Sequence, residues 1–157
     1  PWLAPGAILA AGYGAVVLSG RERSVPGRVL ALIALTSIAP ATHLAARGTL
    51  EAGAAILWAS LGGYYLCGGV FVMARLRRSA SALRAARGGA ALLLSGAIAA
   101  AAQGAVHWLI PLAFLPLAVR TWSPGSAAPA DPRSVGKREL ALGWLSAALI
   151  LAGLRLG

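Results

Sequence analysis

Side chains able to do chemistry are scarce in this chain, and they are concentrated in a few places. Tyr64 and Tyr65 lie near the middle of an apolar run over residues 52–73. A phenol hydroxyl at such a position needs a hydrogen-bond partner, so the pair is read as cavity-lining or as bonded to a neighbouring helix. In TSIAPATHL, the polar residues Thr36, Ser37, Thr42 and His43 flank Pro40. Proline removes one helical donor and frees a carbonyl, and broken apolar helices with polar residues often hold ligands. Thr36, Ser37 and His43 therefore join the tyrosines as candidate lining residues. His43, Gln103 and His107 fall at one expected level and form a second possible polar group.

Metal and nucleophile chemistry finds little support. The only acids are Glu22, Glu51, Asp131 and Glu139, and no two have the spacing of a paired-carboxylate motif. The 2 histidines and 1 cysteine lie in different segments and do not match zinc spacing. No phosphate-cradling glycine loop and no Ser-His-Asp set is legible. No metal and no cofactor is expected, and whether the chain is an enzyme stays open.

The elements that must position these residues follow from composition. Hydrophobic residues make up 59% of the 157 residues, charged residues only 11%, and the mean hydropathy is +0.76. Soluble domains carry about 25% charge. One crossing needs about 20 apolar residues, so the length accommodates about six helices with short loops in one integral membrane domain. The expected spans are 1–20, 29–46, 52–73, 88–103, 107–119 and 139–154. The segment 121–138, rich in Pro, Ser, Gly and Ala, reads as a flexible connector. The fold class expected is an all-α transmembrane bundle.

A net charge of +10 would suggest nucleic acid in a soluble protein. Here Lys and Arg fall in alternate loops, after the first, third and fifth spans, as cytoplasmic loops of a membrane protein do. No nucleic acid partner is expected. The densest cluster is Arg75, Arg77, Arg78, Arg84 and Arg87. With Arg21 and Arg23, residues Arg75, Arg77 and Arg78 serve topology first, and an anionic lipid headgroup or diphosphate second. Trp2, Trp108, Trp122 and Trp144 fall near expected span ends, where an indole is favoured.

Ala55, Ala59, Gly63 and Cys67 recur every four residues and share one helix face. Small side chains let a neighbouring backbone approach closely, which drives association in lipid. The face serves packing within the bundle or, alternatively, a homo- or hetero-oligomer.

The segment order from residue 19 to 78 resembles the YwiC-like family of bacterial multi-pass membrane proteins. The matching elements are the RERS loop (21–24), Ala39-Pro40-Ala41, and Gly69-Val70-Phe71-Val72 running into Arg75 and Arg77. The final basic loop leading into ELALGWLSAALILAGLRL is also similar. That family carries a Glu-His-Gly element near its amino terminus, and the tripeptide does not occur here. The resemblance implies an amino-terminally truncated bundle in the bacterial inner membrane. More distantly, such proteins are similar to UbiA-type prenyltransferases, which hold a prenyl diphosphate through Mg²⁺ and Asp-rich loops. In LSGRERSVPGR, arginines stand where aspartates would be needed. The resemblance implies a lipid or isoprenoid bound between helices, with an intramembrane prenyltransferase-like enzyme, a small transporter or an accessory subunit as alternatives.

Overall fold

A computed structural model describes residues 11–12, 14–15, 18–20, 25–49, 51–123 and 131–156. Among the described residues all regular structure is helical, as expected, and six helices are delimited: α1 (Val25–Thr36), α2 (Ile38–Arg47), α3 (Ala52–Arg77), α4 (Ala80–Ala102), α5 (Leu109–Trp122) and α6 (Pro132–Leu156). The chain divides into two units, Pro1–Gly62 and Gly63–Gly157. Among the described residues, Val29–Ala46, Ala52–Arg77, Ala80–Ala102 and Arg133–Leu156 are long and apolar enough to cross a membrane, and Leu109–Trp122 is a shorter apolar helix. At about 1.5 Å per residue, α5 falls short of a hydrocarbon core of about 30 Å. The expected span 1–20 lies largely outside the described residues.

In the first unit, α1 and α2 nearly form one helix, interrupted at Ser37. Pro40 lies in the first turn of α2, where its missing donor costs little. The hydroxyls beside it bond their own helix. Thr36 Oγ1 donates to the Leu32 carbonyl at 2.9 Å, Ser37 Oγ to Ile33 at 2.7 Å and Thr42 Oγ1 to Ile38 at 2.8 Å. Gly48, at φ 73°, caps α2 in the left-handed region.

In the second unit, residues 63–77 of α3 run antiparallel to α4, and α4, α5 and α6 follow up and down. The α3–α4 connection is tighter than the spacing predicts. Arg78 takes a left-handed φ of 52°, the Ser79 amide donates to the Ala74 carbonyl at 3.0 Å, and Ser79 Oγ accepts from the Ala82 amide at 3.3 Å. These bonds close α3 and open α4 within two residues. Helix α3 thus extends to Arg77 where the sequence suggests 73. Helix α4 starts at Ala80 where the sequence suggests 88, so Arg84 and Arg87 are helical residues and not loop residues.

Gly104, at φ 72°, turns the chain at the far end, with the Ala105 amide bonded to the Ala100 carbonyl at 2.9 Å. The full turn ends α4 and separates it from α5. Helix α6 begins earlier than residue 139. Asp131 Oδ2 accepts from the Ser134 amide at 2.9 Å, and Pro132 occupies the first helical position. Residues 132–138 of the expected connector 121–138 are accordingly its first turns, and 121–122 belong to α5.

Close approaches hold this unit together. An added Cβ at Gly89 would lie 2.6 Å from Cys67 Sγ, and one at Gly63 2.6 Å from Leu93 Cδ2, so α3 and α4 touch at small residues. A Cβ at Gly153 would lie 2.9 Å from Ile110 Cγ1, joining α6 to α5 at the far end. Between them, Ser146 Oγ donates to the Ala113 carbonyl at 2.8 Å, with Ser146 fully buried. Ala90, Ala113, Leu117 and Ile150 are also fully buried.

Candidate functional site

The antiparallel order collects the carboxyl ends of α3 and α5 and the amino ends of α4 and α6 at one end of the second unit. Arg75, Arg77, Arg78, Arg84, Arg87, Arg120, Arg133, Lys137 and Arg138 all belong to that end. The α4–α5 turn at the opposite end carries no Lys or Arg, and among the described residues of the second unit only Arg155, near the end of α6, lies on that side.

Tyr64, Gly68, Phe71 and Arg75 are spaced by four, three and four residues, so they share one face of α3. Tyr64 and Phe71 are each only 2% exposed. Arg120 reaches this face from the last turn of α5. Its guanidinium carbon lies 5.5 Å from the Tyr64 ring centre and 5.4 Å from the Phe71 ring centre. The Arg75 guanidinium lies 5.9 Å from the same Phe71 ring. Aromatic faces and cations therefore alternate along α3, an arrangement in which the ring quadrupoles offset part of the cost of burying charge. Glu139, in the second turn of α6, accepts from Arg120 Nη1 in an ion pair. Their side chains are 12% and 22% exposed.

Gly68 makes room for the pair. A Cβ there would stand 2.9 Å from Arg120 Nη2 and 3.7 Å from Glu139 Oε2. Only one guanidinium nitrogen is used by Glu139. Arg120 Nε and Nη2 are buried and have no hydrogen-bond acceptor among the described residues, and neither does the Tyr64 hydroxyl. Ser146 stands beside that hydroxyl without closing a hydrogen bond of ordinary geometry. The site thus has more buried donors than acceptors, which favours an anionic or strongly accepting oxygen.

A second basic contact closes the same end. Arg87 Nε donates to the Thr121 carbonyl at 2.9 Å, and its guanidinium lies 5.7 Å from the Trp122 ring centre. That carbonyl belongs to the last turn of α5, where helix geometry supplies no backbone partner. Arg87 thus ties α4 to α5 by satisfying it.

The structure separates the residues singled out in the sequence. Tyr64 is buried in the site, whereas its neighbour Tyr65 is 41% exposed and packs beside the position of Gly143 on α6. The two rings meet edge to face at 5.7 Å. Thr36 and Ser37 belong to the first unit. The His43 side chain, Arg21 and Arg23 lie outside the described residues. Arg75 joins the site, and Arg77 and Arg78 are exposed. Gly63 and Cys67 pack on α4, Ala55 is half-buried and Ala59 is exposed. Gln103 is exposed, and His107 Nδ1 accepts from the Leu109 amide at 3.2 Å at the start of α5.

Arg120, Glu139 and Gly68 were not among the residues that sequence spacing marks. Arg120 and Glu139 are read there as loop and span-end charges, because the partner across the bundle is not adjacent in sequence. The face 64-68-71-75 follows a helical period in the sequence, but Ala55, Ala59, Gly63 and Cys67 mark the neighbouring face more strongly.

Among the described residues no group of three or more His, Cys, Asp or Glu side chains could hold a metal ion. Among the described residues Glu139 is the only carboxylate at this site, and Asp131 is engaged as the cap of α6. No family model, no curated protein and no solved structure matches the chain.

Proposed function

We propose that this chain is a multi-pass protein of the bacterial inner membrane, of the YwiC-like type, that holds an anionic lipid or isoprenoid between the helices of its second unit. In this reading the chain crosses the membrane about six times, and its basic end faces the cytoplasm. The observation that carries the reading is the Arg120–Glu139 pair set over Tyr64 in a bundle of otherwise apolar and small residues, with donors unspent. Ionisable groups inside such a bundle are costly and mark ligand pathways or sites. The exposed Arg77, Arg78, Arg84, Arg133, Lys137 and Arg138 around it suit the anionic inner leaflet.

The alternatives find less support. A prenyltransferase-like enzyme needs paired carboxylates to bridge Mg²⁺ and diphosphate, and Glu139 already faces a guanidinium. A transporter path through Tyr64, Tyr65 and the Pro40 break is weakened at the break, where the Thr36 and Ser37 hydroxyls bond carbonyls one turn back.

Native mass spectrometry of the protein extracted in mild detergent tests the proposal. The expected result is a retained anionic lipid that is lost in Arg120→Gln while the far-ultraviolet helical signal persists. Wild-type protein that emerges free of lipid, and stays free when anionic lipid is added back, would refute it.

A further inference from the structure

Glu139 occupies an unusual position for a purely structural partner. It engages one nitrogen of Arg120 and leaves Nε and Nη2 without acceptors, although a carboxylate facing a guanidinium can take two parallel bonds. It is the more exposed member of the pair, at 22% against 12%. Behind it, Tyr64, a residue only 2% exposed, presents a buried hydroxyl with no acceptor among the described residues. Lys137 and Arg138 precede it directly and are both exposed.

We infer that Glu139 is an internal stand-in for a phosphate group, displaced from Arg120 when an anionic lipid headgroup binds. The inference rests on the lipid reading above and names the headgroup chemistry and the residue that competes with it. A phosphate monoester carries more charge than a carboxylate and has three acceptor oxygens. Its oxygens replace the Glu139 acceptor at Nη1 and offer further acceptors to Arg120 Nε and Nη2, which Glu139 leaves unsatisfied. The Glu139 side chain, the more exposed member of the pair, swings out to water. A Cβ on Gly68 would stand 2.9 Å from Arg120 Nη2, so the guanidinium lies close against the α3 backbone and the phosphate approaches from the side that Glu139 vacates.

A structural ion pair and a displaceable one predict opposite signs. Removing the carboxylate from a structural pair lowers stability and gives no gain in binding. Removing a competitor tightens binding. The test is a titration of the full-length protein in detergent with phosphatidic acid, followed by native mass spectrometry. Phosphatidylcholine and inorganic phosphate serve as parallel arms. Glu139→Gln is expected to bind phosphatidic acid on the order of tenfold more tightly than wild type, a shift of one decade in Kd. Arg120→Gln is expected to lose the preference over phosphatidylcholine. Saturation by inorganic phosphate as readily as by phosphatidic acid would assign the site to a free anion and overturn the lipid part of the inference. If Glu139→Gln does not fold, Glu139→Asp shortens the reach to Arg120 and is expected to tighten binding in the same direction. Unchanged or weaker binding in a folded variant, with wild type still retaining lipid, would overturn the stand-in role and leave the lipid reading intact. No phosphatidic acid bound by wild type or by either variant would refute both.

Discussion

Replacing Gly68 by alanine tests whether the buried ion pair is held in place or merely lies there. In an ordinary helix the change stabilises by up to about 1 kcal/mol, because alanine is the better helix former. Here the new Cβ would sit 2.9 Å from Arg120 Nη2. The end of an arginine is normally free to swing aside at little cost. This one lies against the Tyr64 and Phe71 rings and is tied to Glu139, so yielding breaks those contacts. Breaking a buried pair costs about 3–5 kcal/mol when one charge is left uncompensated. Both groups survive in Gly68→Ala and both are partly exposed, so about half of that, near 2 kcal/mol, is expected against the alanine gain. The net result is a destabilisation of about 1–2 kcal/mol. Equilibrium unfolding in mixed dodecyl sulfate and mild-detergent micelles measures it. Gly96→Ala is the control, since a Cβ there meets nothing within 4 Å. If Gly68→Ala is as stable as Gly96→Ala, the guanidinium gives way freely and the clamped geometry is refuted.

Three further outcomes follow from the same geometry. Arg120→Met leaves the Glu139 carboxylate uncompensated and is expected to cost about 3 kcal/mol, while Arg120→Met with Glu139→Leu recovers most of it in the same unfolding titration. Gly63→Leu forces a side chain into Leu93, 2.6 Å from the position of its Cβ, and is expected to lose about 1–3 kcal/mol, whereas Gly96→Leu changes stability by less than about 0.5 kcal/mol. In a Cys67→Ala background, Ser81→Cys is expected to react with an impermeant maleimide only in inside-out vesicles, and Gln103→Cys only in right-side-out vesicles. The reverse pattern would invert the proposed orientation.

Much of the fold is legible from composition and helical spacing, because both act locally. The run 52–73 is legible as a helix, because its length and apolar composition suit a segment that satisfies its own backbone groups where water is excluded. The start of α6 at Asp131-Pro132 was also legible as a cap followed by proline at the first helical position. The composition of the surrounding connector obscured it. The early start of α4 was less accessible. It depends on Arg78 accepting a left-handed conformation, which for a residue with a Cβ costs about 1–2 kcal/mol and is offset only by the bonds of the finished turn.

By itself the sequence determines that the chain is helical, apolar along most of its length, and basic at alternate ends of its apolar runs. Those properties follow from hydropathy and charge, which each residue carries wherever it is placed. Only the tertiary structure decides that Arg120 and Glu139, 19 residues apart, form a pair over Tyr64. The helices pack with several small residues in close contact, and such residues permit many neighbours without selecting one. The buried charges are what distinguish one arrangement, because a guanidinium inside the bundle must find a carboxylate and an aromatic face, and α3, α5 and α6 supply them together.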